Sequence, residues 1–134
     1  MQSGRLDGVP PRNGDWGPAY IIQGPTSDIG LLTLRPGDEM TNHIHHFCDE
    51  SFIVIDGEAT LWVDCGEPRA MVPGDVARCA PGEMHYFRNT SDDIFTMVFI
   101  KSPASPGDTI NLPWQPGQRP PEVPARPEPT TERN

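Results

Sequence analysis

The segment PGDEMTNHIHHFCDESFIVIDG, residues 36–57, decides how this chain is read. It begins on a turn signal, Pro36-Gly37-Asp38, and ends on a second, Asp56-Gly57, which between two apolar runs predicts a hairpin. Within it, residues 43–50 (HIHHFCDE) gather three histidines, a cysteine and two acidic residues. Side chains alternate across a strand, so His43 and His45 share one face and His46 takes the other. Two imidazoles on one strand face are a ready pair of metal ligands. Glu50 lies five residues beyond His45, an odd step that an unbroken strand would send to the opposite face. A turn at Phe47-Cys48-Asp49 removes that conflict by starting a new strand at Glu50. Phe52 and Val54 then share its inward face and wall the site with apolar surface.

Neighbouring residues rarely complete a coordination sphere, so a further ligand is expected from another strand. His85 is the sole histidine outside the cluster, and it follows the turn Pro81-Gly82-Glu83. The candidate metal ligands are therefore His43, His45, Glu50 and His85. Three neutral imidazoles and one carboxylate suit a divalent transition metal: Fe, Mn, Ni, Co, Cu or Zn. Ca and Mg favour more oxygen donors. An octahedral ion held by four protein groups would leave two positions for water, substrate or dioxygen.

On either side the same rhythm of short apolar runs and turn residues continues. AYIIQ (19–23) and IGLLTLR (29–35) precede the segment; EATLWVD (58–64), RAMV (69–72), VARCA (76–80), HYFRN (85–89) and IFTMVFIK (94–101) follow it. With 17 prolines and 13 glycines in 134 residues, helices have little room. The expectation is an all-β domain of about eight to ten short strands, a sandwich or jelly-roll barrel. Residues 1–18 read as an irregular N-terminal arm and 19–114 as the barrel domain. Residues 115–134, rich in proline, read as a disordered or extended tail. INLPW (110–114) is expected to fold back and pin that tail through Trp114.

The formal charge of −9 argues against nucleic acid as a partner, since phosphate binding needs a basic face. Of ten basic residues only Lys101 is a lysine. No long apolar run and no basic-then-apolar amino terminus is present, so neither a membrane span nor a secretory signal is expected. Cys48, Cys65 and Cys79 are an odd number without metal-type spacing. They imply no disulfide framework, and a cytoplasmic location is the default.

These residues also carry a family resemblance. Gly37, His43, His45, Glu50 and Gly57 keep the spacing of the first motif of the cupin superfamily; Gly74, Pro81, Gly82, His85 and Asn89 keep that of the second. Ala80 departs, standing where proline is usual, with Pro81 beside it to keep the turn stiff. The chain thus resembles a small single-domain cupin, a double-stranded β-helix (jelly-roll) barrel with a divalent metal in its mouth. The resemblance implies the same four ligands and a small-molecule substrate. It points to a metal-dependent enzyme on an oxygen-rich metabolite, with a dioxygenase-type reaction favoured over an isomerase, decarboxylase or lyase. A non-catalytic metabolite binder is the other class, and a homodimer is expected.

Other residues receive blander readings. Tyr86 neighbours His85 and should face away on a regular strand, while Phe87 and Asn89 share the ligand face, which makes Phe87 a candidate to line the substrate pocket with Phe52 and Val54. Tyr86, Glu83 and Arg78 are candidate proton donors or acceptors but read as structural. Arg35 and Arg78 would grip a substrate carboxylate bidentately if they point inward, which parity alone does not decide. His46 is expected exposed or facing a second subunit, and Cys48 is expected as an unactivated loop thiol.

Overall fold

A computed structural model describes residues 1–128; the remainder of the expected tail, 129–134, lies outside the described residues. Among the described residues ten strands form, and no helix is long and apolar enough to cross a membrane. In chain order they are β1 Gly17–Gln23, β2 Asp28–Leu34, β3 Glu39–His45, β4 Asp49–Asp56, β5 Ala59–Val63, β6 Arg69–Met71, β7 Val76–Cys79, β8 His85–Arg88, β9 Phe95–Ser102 and β10 Thr109–Asn111.

They build two five-stranded antiparallel sheets, ordered β1-β2-β9-β4-β7 and β10-β3-β8-β5-β6. The hairpin expected at Asp56-Gly57 does not form. β4 pairs with β7 and β9, whereas β5 pairs with β6 and β8, so the turn carries the chain from one sheet to the other. The Pro36-Gly37-Asp38 and Pro73-Gly74-Asp75 turns cross in the same way, β2 to β3 and β6 to β7. Turn chemistry specifies a reversal of the chain, not which strand lies beside the next. At Gly57, φ is 77°, and a Cβ would collide with the Ile94 carbonyl, so glycine is needed twice over.

Alternation along these strands turns one apolar row of each sheet inward. Leu32, Leu34, Phe52, Val54, Leu61, Phe87, Phe95, Met97 and Phe99 meet between the sheets as the core. A smaller cluster, Trp62, Tyr86 and Trp114, lies on the outer face of the second sheet. There Trp114 is buried, and its Nε1–H donates to the Gln118 carbonyl at 3.0 Å. Beyond Asn111 the described residues form no regular element, but Arg126 stacks over the Phe47 ring at 4.7 Å.

Candidate metal centre

Three ligands come from one sheet and the fourth from the other. His43 on β3 lies opposite His85 on β8, with ring centroids 4.1 Å apart. A bulge between Met40 and His43 sets that register, so Met40 faces the same cavity as His43 despite its opposite parity. His45 follows on β3. Glu50, on β4, reaches in from the opposing wall: the chain does reverse at residues 46–48, and the carboxylate is delivered across the barrel.

All four side chains are buried, and their donor atoms lie within 4.8 Å of one another. Glu50 Oε1 stands 2.9 Å from His45 Nε2, 3.0 Å from His85 Nε2 and 3.7 Å from His43 Nε2. Donors that share an ion at bonds of roughly 2.0–2.2 Å are separated by about these distances.

The outer ring nitrogens explain why a cation fits. His43 Nδ1 is 2.7 Å from the Thr41 carbonyl, and His85 Nδ1 is 3.2 Å from that of Glu83. A carbonyl oxygen only accepts, so each Nδ1 carries the proton and donates it. In a neutral ring Nε2 is then a bare lone pair, aimed at a carboxylate that offers lone pairs of its own. Burial pushes the His85 imidazole pKa down, against the opposing pull of Glu50. Burial pushes the Glu50 carboxyl up; hydrogen bonds from His43, His45 and His85, which require a proton on the facing nitrogens, outweigh that and hold it well below the usual carboxylate range. An ion in place of those protons would act in the same direction. Neutral imidazole and ionised carboxylate are the ligand forms a divalent ion requires, and carbonyls behind the ligating rings are the usual outer support. His45 Nδ1 has Thr109 Oγ1 at 3.4 Å behind it, presented by β10.

A cavity of about 430 Å³ opens beside His43 and Glu50, walled by Trp16, Tyr20, Phe52 and Phe99. Of the other pocket candidates, Val54 and Phe87 are in the core and line neither this cavity nor the neighbouring one beside His45; Phe87 packs edge-on against Phe52, with centroids 5.0 Å apart. Arg35 and Arg78 do not face the site. The Arg35 guanidinium pairs with Asp38 at 2.9 Å and Asp15 at 3.2 Å and lies over Trp16, so it clamps the N-terminal arm. Arg78 is exposed and donates to Ser51 Oγ on the outer face of β4. Both alternate with inward residues, Leu34 and Cys79, which turns them outward.

Tyr86 faces away as expected and donates to Glu39 Oε2. Glu83 accepts from the Ala80 N–H, shaping the turn before His85. His46 is buried, not exposed, because Asp108 draws its backbone inward. The Asp108 carboxylate accepts from three successive N–H groups, those of His46, Phe47 and Cys48. His45, Cys48 and Asp108 also lie close enough to share an ion, but Asp108 spends both oxygens on that turn. Burial, then the Asp108 charge, pushes the Cys48 thiol up to about 12, so it is not activated.

Residues 30–101 match the cupin domain family model, more than half of the chain. This chain is a cupin. Among known proteins, the cupin is 35% identical over 92 residues to "Polyketide synthase CurC" of Streptomyces cyaneus, covering 67% of this chain and 58% of that one. It is 33% identical over 78 residues to "Cupin-domain-containing oxidoreductase srdB" of Neurospora crassa, covering 54% of this chain and 39% of that one. The cupin thus spans about half the length of these relatives. Among solved structures, it superposes with a TM-score of 0.67 and 27% identity on an uncharacterised Klebsiella pneumoniae protein with a double-stranded β-helix domain, covering 74% and 86% of the two chains.

Two features of the pocket escape a motif reading. The N-terminal arm supplies Arg12 and Trp16 to the cavity, held by backbone bonds from Arg12 N–H to Pro18 and from Asn13 N–H to Trp16. Lys101 also lines it, on the inward parity of β9 with Met97 and Phe99. That parity was readable from the sequence.

Proposed function

We propose that this cupin is a metal-dependent enzyme acting on a small, oxygen-rich metabolite, with dioxygenase-type oxidation as its reaction. The convergence of three imidazole Nε2 atoms on Glu50 Oε1, with carbonyls fixing the outer nitrogens of His43 and His85, carries this reading. A divalent transition ion held by His43, His45, Glu50 and His85 would supply Lewis acidity toward a carbonyl or enolate oxygen and, as iron, the means to engage dioxygen. Phe52, Met97 and Phe99 exclude water from the inner wall, and Thr41, Glu83 and Thr109 hold the three imidazoles in orientation.

The name of the Neurospora relative supports an oxidoreductase. That of the Streptomyces relative supports a polycarbonyl or phenolic substrate, and with it a second reading: a metal-dependent isomerase, decarboxylase or lyase that needs no oxygen. The test is oxygen uptake by iron-loaded protein against a panel of phenolic and polycarbonyl compounds. Uptake matching substrate loss supports the dioxygenase. Equal turnover under anaerobic conditions replaces it with the second reading. Metal-free protein that binds a metabolite unchanged, with no turnover in any form, makes the protein a binder.

A further inference from the structure

Lys101 is the only lysine in a chain of net charge −9, and it stands inside the barrel. Its register partner on β4 is Glu50, so a candidate metal ligand and an ammonium occupy adjacent inward positions on neighbouring strands. The side chain is half-buried, which is uncommon for lysine, and the Glu50 charge on the neighbouring strand favours its ammonium form from beyond ion-pair distance. Lys101 forms no ion pair among the described residues. Its single hydrogen bond among the described residues donates to the Tyr20 hydroxyl at 2.5 Å, leaving two of three N–H donors without a partner among those residues. Two aromatic rings hold it in place, Tyr20 at 5.0 Å and Phe99 at 5.8 Å from Nζ.

The position suits a ligand better than a scaffold. Lys101 lines both the 430 Å³ cavity and a neighbouring one of about 680 Å³, which His45 also lines. Arg12, exposed on the arm, lines the same two spaces, so two cations flank the approach to the centre in an otherwise acidic protein. A fixed cation between low-dielectric walls concentrates anions. The flat rings of Trp16, Tyr20, Phe52 and Phe99 complement a planar body.

We infer that Lys101 is a specificity residue which binds an ionised oxygen of a planar, conjugated substrate (a phenolate, enolate or aryl carboxylate) and so orients it toward His43, His45, Glu50 and His85. This assignment rests on the metal-enzyme reading above for what lies at the far end of the substrate. The ammonium donates its free N–H groups to the oxyanion, Tyr20 fixes the ammonium, and the aromatic walls hold the ring plane.

The experiment is calorimetric binding of 1-hydroxy-2-naphthoate and its uncharged amide to zinc-loaded wild type, Lys101→Met and Lys101→Arg. 1-Naphthol at pH values above and below its ionisation separates a phenolate from a carboxylate requirement. Thermal midpoint and bound zinc are measured for each variant. Wild type is expected to bind the naphthoate at least tenfold more tightly than the amide. Lys101→Met removes that preference without changing amide affinity or zinc content, and Lys101→Arg keeps most of it. Equal binding of anion and amide by wild type, or an unchanged preference in a folded Lys101→Met protein, overturns the assignment. If instead the preference tracks Lys101 but the protein binds none of zinc, iron, manganese, nickel, cobalt or copper, the metal-enzyme reading fails and the Lys101 site stands.

Discussion

His43 and His85 face one another across the β3–β8 ladder at 4.1 Å between ring centroids, each with its Nδ1 tied to a backbone carbonyl two residues before it in the chain. Neither ring is free to turn, so the pair is preorganised. We predict that His85→Ala weakens zinc or iron binding by more than about 100-fold, a greater loss than for an outer-sphere change. Metal at a hundred times its Kd should stabilise wild type by about 2.7 kcal/mol. Thermal unfolding with and without EDTA checks both, and at the same metal concentration the variant should gain no more than about 0.4 kcal/mol.

Asp108 governs the turn between the ligands. Burial raises its carboxyl pKa, but the N–H groups of Phe47, Cys48 and His46 lower it more, leaving it below the ordinary 3.8. A depressed native pKa means stability present in full above the unfolded value and lost as pH falls through the native one. Asp108→Ala, which strands those donors, should cost about 1–3 kcal/mol. It should also flatten the acid limb of a stability–pH curve below pH 3.8. An acid limb identical to wild type would refute this.

The cysteines should separate by reactivity. Burial pushes the Cys48 and Cys79 thiols up to about 12, while Cys65, partly exposed, is raised without a comparable barrier to reagent. Iodoacetamide at pH 8 should label Cys65 alone in the native protein and all three after denaturation, as mass spectrometry would show.

Phe87 and Arg78 invert the expectation that both serve the pocket. Phe87→Ala removes a fully buried ring from between the sheets and should destabilise by about 3–5 kcal/mol in denaturant titration. Arg78→Ala should cost no more than about 1 kcal/mol and leave naphthoate binding unchanged, whereas Arg35→Ala, equally small in stability, should weaken that binding because it loosens the arm that carries Trp16.

Strand number, the inward parity of His43 and His45, and the reversal before Glu50 were all legible, because alternation and turn residues are local properties. The pairing of β4 and β5 was not. Asp56-Gly57 encodes a bend, and which sheet receives the next strand depends on where Leu61 and Phe52 find apolar partners across the barrel. The same limit hid the pocket wall. Arg12 and Trp16 sit in a stretch of glycine and proline with no period, and only the backbone bonds at residues 12–18 bring them over the cavity. Arg35 read as a substrate group because a guanidinium suits a carboxylate; in the fold, Asp15 and Asp38 supply that carboxylate.

The division of the donors between the sheets makes an occupied centre a rivet. Its imidazole heads are seated in one plate and its carboxylate in the other, so the plates cannot part while the ion stays. Withdrawing the ion with a chelator should therefore raise amide exchange in β4 and β8 together, segments 35 residues apart along the chain that would otherwise loosen independently.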